Sequence, residues 1–185
     1  MPAAIAANRR FYNPIQQDAA TFVETSAESG GERTVLEIEL APGGGNALHR
    51  HRSYAERFEV VSGRLLVEVG DGARALGPGD EAAVPVDTLH CFRNETDQPV
   101  TFRVTLTPGQ TGFERSLMIG YGLAADGRCN DRSVPRDPYH LALLKQWSDI
   151  RLPGAVGRLE PLFALLARRA RAKGIDRELV ARYCA

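Results

Sequence analysis

Four histidines occur in 185 residues, and two of them, His49 and His51, stand one residue apart in HRHRSYAE (49–56). In an extended strand, residues i and i+2 point to the same face, so the two imidazoles would sit side by side with Arg50 and Arg52 turned away. Neutral imidazole is the commonest protein metal ligand near neutral pH. A loop through residues 53–55 would return Glu56 on the next strand, facing the pair. His90, at the head of LHCFRN, offers a fourth ligand. Three nitrogens and one carboxylate leave one or two positions open on a five- or six-coordinate ion, which a metal-assisted reaction requires. This donor set suits one divalent ion of Fe, Mn, Ni, Cu or Zn, and geometry rather than sequence decides among them. Taken alone, an HxH pair is more often two polar residues on an exposed strand. The constellation, not the pair, carries the reading.

Positioning four such side chains calls for strands, and the first part of the chain supplies them. TVLEIEL (34–40) alternates, with Leu36, Ile38 and Leu40 on one face and Glu37 and Glu39 on the other. ERFEVV and RLLVEV are separated by Ser62-Gly63, a tight hairpin signal. GDG (70–72) marks a turn, GPGDEAAVP (77–85) reads as turn, short strand and breaker, and VTFRVTL (100–106) alternates again. Short strands at turn-sized spacings predict an antiparallel sandwich or barrel. After residue 112 the period changes. Helices are expected over 113–127, weakened by Gly120 and Gly122, over 139–150, and over 155–173, where Val156, Leu159, Leu162, Phe163 and Leu166 fall at helical spacing. Pro161 should kink or delay the last of these, Gly174 should stop it, and Asp176 should cap a final short helix, with Ile175 stapled on Val180. The division expected is a barrel domain over 1–109, with an N-terminal strand segment, and a helical extension over 110–185 that packs on the barrel or on a dimer partner.

A net charge of zero gives no push toward nucleic acid, although residues 1–109 balance at −5 and residues 110–185 at +5. Cys91, Cys129 and Cys184 are too few and too scattered for a disulfide framework, so a reducing, cytoplasmic setting is expected. No apolar run approaches the roughly 20 residues that cross a bilayer, and the basic helix around LLARRARAKG reads as packing on the barrel or a second subunit rather than on a membrane surface.

Two spaced motifs add a resemblance. Gly43-x5-His49-x-His51-x4-Glu56-x6-Gly63 resembles the first motif of the cupins, and Gly79-x5-Pro85-x4-His90-x3-Asn94 the second, with 15 residues between Gly63 and Gly79. Nine of the ten motif positions match; Asp87 stands where the family has glycine, and Asp tolerates turn conformations better than most residues. The resemblance implies a mainly β, cupin-type jelly-roll barrel with C-terminal helices, His49, His51, Glu56 and His90 as metal ligands, and a homodimer. It also implies a small organic substrate or ligand and, first among reactions, quercetinase-type dioxygenase chemistry. Isomerase, cyclase or decarboxylase chemistry and a non-catalytic binding or sensing barrel are the alternatives, because one fold serves many sites. Glu56 doubles as a candidate acid/base. Tyr54 is a candidate acid or hydrogen-bond donor against a plainer reading as a loop residue at the barrel rim, and Phe58 and Phe92 are expected to line the cavity. Cys91, of opposite parity to His90, should point away from the site, Asn94 should serve a turn, and His140 has no partner pattern.

Overall fold

The computed structural model describes residues 9–184. Nine strands precede five helices: β1 (Arg10–Asn13), β2 (Asp18–Glu24), β3 (Thr34–Leu40), β4 (Ala55–Ser62), β5 (Leu65–Val69), β6 (Gly72–Leu76), β7 (Glu81–Val84), β8 (His90–Arg93), β9 (Val100–Thr107), α1 (Thr111–Ala125), α2 (Pro138–Trp147), α3 (Gly154–Gly157), α4 (Glu160–Ala172) and α5 (Ile175–Tyr183). All the strand pairs are antiparallel, in a six-stranded sheet ordered β1-β2-β3-β9-β4-β7 and a three-stranded sheet ordered β6-β5-β8. The segment after β3 runs beside β8 through bridges at Gly45–Arg93 and His49–His90 and extends the smaller sheet.

The period of two read in the sequence is the period of burial. Leu36, Ile38 and Leu40 on β3, Phe58 and Val60 on β4, and Val100, Phe102, Val104 and Leu106 on β9 face Leu65, Val67 and Leu76 of the other sheet in one apolar core. Between Val60 and Leu65 the chain does not make the hairpin that Ser62-Gly63 predicts. β4 pairs with β7 and β9, and β5 pairs with β6 and β8, so this turn carries the chain from one sheet to the other. Gly63 is required there for two reasons. Its φ is +81°, and a Cβ would come within 2.7 Å of the Pro99 carbonyl oxygen.

Helix α1 is shared between two cores. Phe113, Leu117, Met118 and Tyr121 pack on the barrel, while Ile119 and Leu123 join Ala142, Leu143, Leu144, Ala167, Ala170 and Leu179 in a second, mainly helical core that also takes in Cys129. α2 starts at Pro138 with Asp137 accepting hydrogen bonds from the Tyr139 and His140 amides. Pro161 sits in the first turn of α4 and delays its start until after the short α3, as expected. Gly174, at φ +76°, ends α4 and is also the N-cap of α5, so the Asp176 cap expected from sequence does not form. The helix begins one residue before Asp176, which places its carboxylate inside the first turn instead of ahead of it. The side chain of Val156 lies outside the described residues.

Gly63→Ala adds a clash to the strain of a left-handed residue, whereas Gly70→Ala, at φ +58° with open space around its Cβ position, adds the strain alone. Urea denaturation is expected to show Gly70→Ala costing about 1–2 kcal/mol and Gly63→Ala clearly more. Equal costs would mean the Pro99 carbonyl yields freely.

Candidate metal centre

The four residues singled out in the sequence converge at one end of the barrel core. His49 and His51 come from the segment that bridges to β8, His90 heads β8 directly opposite His49, and Glu56 lies on β4 between Leu106 of β9 and Val84 of β7. Glu56 shares the inward parity of Phe58 and Val60, so a carboxylate occupies what is otherwise an apolar face. All four side chains are buried, His90 to 1% exposure. The ligand atoms of His49, His51 and His90 lie within 4.8 Å of one another.

Which ring nitrogens face the cluster is set from behind. His49 Nδ1 lies 2.8 Å from the Ala47 carbonyl, and His90 Nδ1 2.9 Å from the Thr88 carbonyl. A carbonyl can only accept, so both Nδ1 atoms carry hydrogen and both Nε2 atoms are turned to the cluster, free to ligate when the rings are neutral. His51 reaches the same state through a relay. The Tyr54 hydroxyl donates to the Ser148 carbonyl at 3.0 Å, which leaves its oxygen to accept from His51 Nδ1 at 2.6 Å. His49 Nε2 then stands 3.0 Å from His51 Nε2. Two lone pairs at that separation repel unless a proton or a cation lies between them. His90 Nε2 stands 2.8 Å from Glu56 Oε2 and has no aligned hydrogen-bond partner, while His51 Nε2 is 3.7 Å from Glu56 Oε1. One unpartnered buried nitrogen, two more imidazole nitrogens in contact beside it and an acid form a donor set that a divalent cation satisfies.

Protonation follows the same geometry. Burial pushes His49 down and His51 to about 4; neighbouring imidazoles add to the lowering and the Glu56 carboxylate opposes it, so both are neutral and able to ligate. Burial would raise Glu56, but His90 and the other imidazoles hold it below the ordinary glutamate range. Burial would lower His90, and the Glu56 carboxylate more than offsets it, leaving His90 raised. The carboxylate is therefore the group around which the imidazoles are electrostatically arranged.

The structure puts Tyr54 behind His51 rather than at the rim or in the cavity. It is fully buried, stacked on the His51 ring with centroids 4.2 Å apart, and its hydroxyl is spent on His51 and Ser148. Phe58 and Phe92 line the cavity beside the cluster, Cys91 is buried, and Asn94 spends its amide and carbonyl on the turn around Leu40, Thr96 and Gln98. Asp87 takes φ +61°, the glycine-like conformation that its motif position demands. His140 lies in α2, away from the cluster, near Asp137.

Sequence reasoning missed the part of the helical extension that holds the site. The loop after α2 lies along the His-x-His segment. Ser148 accepts from Tyr54, Asp149 Oδ2 accepts from the Arg52 amide and the Ser53 hydroxyl, and Arg151 pairs backbone to backbone with Arg50. Asp149 adopts φ +54° to do this, inside the stretch where a helix through residue 150 was expected. Ile150 and Leu152 of the loop, with Phe113 and Leu117 of α1, close the wall of a cavity of about 340 Å3 that also includes His49, His51 and Glu56. Behind the loop, Arg151 and Lys145 both pair with Glu160.

Residues 36–111 match the family described as Cupin domain. The fold agrees with an RmlC-like cupin from Shewanella frigidimarina, at TM-score 0.50 and 18% identity over 61% of this chain and 96% of that one, a likeness of fold alone. Among curated proteins, the chain is 28% identical over 75 residues to mannose-1-phosphate guanylyltransferase of Escherichia coli, covering 40% of this chain and 16% of that enzyme. It is 38% identical over 58 residues to germin-like protein 3-7 of Oryza sativa subsp. japonica, covering 29% and 25%. The chain thus spans a quarter or less of the length of these relatives. Residues 36–111 carry a cupin domain, and the helical extension lies beyond the matched residues. No described helix is long and apolar enough to cross a membrane.

Two outcomes follow from this geometry. Tyr54→Phe keeps the stacked ring and removes the oxygen behind His51; metal affinity, read by competition with a chromogenic chelator, is expected to fall about 10–100-fold with little change in secondary structure. Asp149→Asn keeps the left-handed loop but loses the charged acceptor, at a cost of about 1.5–3 kcal/mol. Burial would raise Asp149, yet the Arg52 amide, the Ser53 hydroxyl and Arg151 hold it below its ordinary value of 3.8. Its contribution is therefore complete above the unfolded value and is lost as pH falls through the lower, folded one. The stability difference between parent and variant should shrink below about pH 4 in urea titrations; a pH-independent difference would show that the charge is not what matters.

Proposed function

We propose that the chain is a metal-dependent enzyme that acts on a small, largely apolar organic molecule bound in the barrel cavity. The observation that carries this reading is the convergence of three imidazole Nε2 atoms and a buried carboxylate at the wall of an apolar cavity. His49, His51 and His90 would hold one divalent ion, with Glu56 as a fourth ligand. When bound, the ion supplies Lewis-acid polarisation of a substrate oxygen and, if it is redox-active, access to dioxygen. The protein's own part is to orient the substrate and exclude water. Phe58, Phe92, Phe113, Ile38 and Leu117 present aromatic and aliphatic surface beside the cluster, and Glu56, held ionised, is placed to take a proton from a substrate hydroxyl.

Dioxygenase-type cleavage, in which both atoms of dioxygen enter the product and no other reductant is needed, is the reaction class placed first. An isomerase, cyclase or decarboxylase would use the same ligands with a redox-inert ion. The wall composition favours a substrate without an anionic group for either. No Lys or Arg is among the described residues that line the cavity, so nothing there grips a phosphate, in contrast to what a sugar-phosphate enzyme requires.

Elemental analysis of protein purified without chelator or nickel resin, beside His49→Ala/His51→Ala, tests the reading. About one equivalent of metal per chain is expected in the parent and none in the variant. Iron, copper or nickel would support the oxygen-dependent reaction and zinc the isomerase-type alternative. No metal in the parent even after reconstitution would reject the enzyme reading and leave a binding or sensing barrel.

A further inference from the structure

Away from the histidine cluster, the same cavity holds a second polar group. Asp18, the first residue of β2, lines the cavity wall and is 8% exposed. Its Oδ2 accepts a hydrogen bond from the Tyr121 hydroxyl at 2.5 Å, and its Oδ1 is buried without any hydrogen-bond partner in the protein. Tyr121 lies on α1 on the same face as Phe113 and Leu117, eight and four residues earlier, and all three line the cavity. Burial drives the Tyr121 phenol well above its ordinary range, so it remains a donor to Asp18. Leaving one carboxyl oxygen unpaired in an apolar wall is costly. Neither Asp18 nor Tyr121 falls within the matched residues 36–111, so the pair is a feature of this chain's flanking segments and not of the cupin domain itself.

We propose that Asp18, oriented by Tyr121, is the specificity-determining residue of the cavity: its free Oδ1 accepts a hydrogen bond from a hydroxyl or amine donor on the substrate. The substrate class this defines is a small molecule with an apolar, typically aromatic body and a hydrogen-bond donor placed to meet Asp18, separate from whatever group meets the histidine cluster. An apolar pocket with a few convergent polar groups fixes a ligand's orientation in this way. A site built to pair a donor also discriminates strongly against the analogue that lacks it. An amine, which brings its own positive charge to a carboxyl group with no cationic partner on the cavity wall, should be preferred over a neutral hydroxyl. The inference rests on the cavity's being the substrate site proposed above, but not on metal being bound.

The test is binding of three matched probes, ethylbenzene, 2-phenylethanol and 2-phenylethylamine, followed by ligand-observed NMR on the parent, Asp18→Leu, Asp18→Asn and His51→Ala. Ethylbenzene reports whether the cavity is intact in each variant. The parent is expected to bind the alcohol and the amine about tenfold or more tighter than ethylbenzene. Asp18→Leu should abolish that preference while ethylbenzene still binds. Asp18→Asn, which keeps the shape should the leucine variant not fold, should weaken the amine most. His51→Ala should leave the preference in place even as metal is lost, which separates a failure here from a failure of the metal reading. No donor preference in the parent overturns the proposal. So does a preference that survives both Asp18 substitutions and vanishes in His51→Ala, since the metal cluster would then be reading the donor. Binding of none of the probes overturns it as well.

Discussion

The rest of the site depends on one electrostatic constraint. Imidazole nitrogens are gathered in a buried space, two of them 3.0 Å apart, beside a single carboxylate. Such a cluster persists only if each ring is held from behind. The protein does this with three oxygen acceptors, Ala47 and Thr88 carbonyls from the barrel and the Tyr54 hydroxyl backed by Ser148 from the helical extension. Each acceptor fixes a tautomer as well as an orientation, and the tautomers together aim three Nε2 atoms at one point. The ligand set is thus inseparable from its supports, and one of those supports is not part of the barrel.

That gives the helical extension a role beyond covering a sheet. Its loop at residues 148–152 is fastened to the His-x-His segment by a tyrosine hydrogen bond, an aspartate acceptor and a two-residue backbone ladder. The same loop, with α1, supplies cavity wall. Helix α1 belongs to both apolar cores, so the barrel and the helical bundle are coupled through its packing. The barrel provides the ligands. The extension provides one ligand's anchor, the closed side of the cavity, and the tyrosine that orients Asp18. A domain shared widely among unrelated activities acquires its particular chemistry from such additions, because function resides in the lining and not in the fold.

Much of this was legible in the residues. Alternation over 34–40 and 100–106 predicted β3 and β9 because one face of each is buried, and burial is what the period of two records. The four candidate ligands could be singled out because their spacing is local: His49 and His51 stand two residues apart on one segment, and Glu56 and His90 each stand at a strand start with inward parity. The Ser62-Gly63 turn was misread as a hairpin because a tight turn has the same composition whether it joins neighbours or crosses between sheets. Only the pairing partners distinguish the two, and those lie far along the chain. Asp176 was misread as a cap because Gly174, by ending one helix, also started the next.

What the sequence determined by itself is therefore what depends on neighbours in the chain: strand parity, turn positions and the inventory of metal-binding groups. What tertiary structure alone decided is which distant groups meet. Tyr54 with Ser148 spans 94 residues and Asp18 with Tyr121 spans 103. In neither case does any local pattern mark the residue, since a buried tyrosine and an aspartate at a strand start look like ordinary core and surface. Their meaning comes from the side chain they face, and that contact exists only once the helices have closed against the barrel.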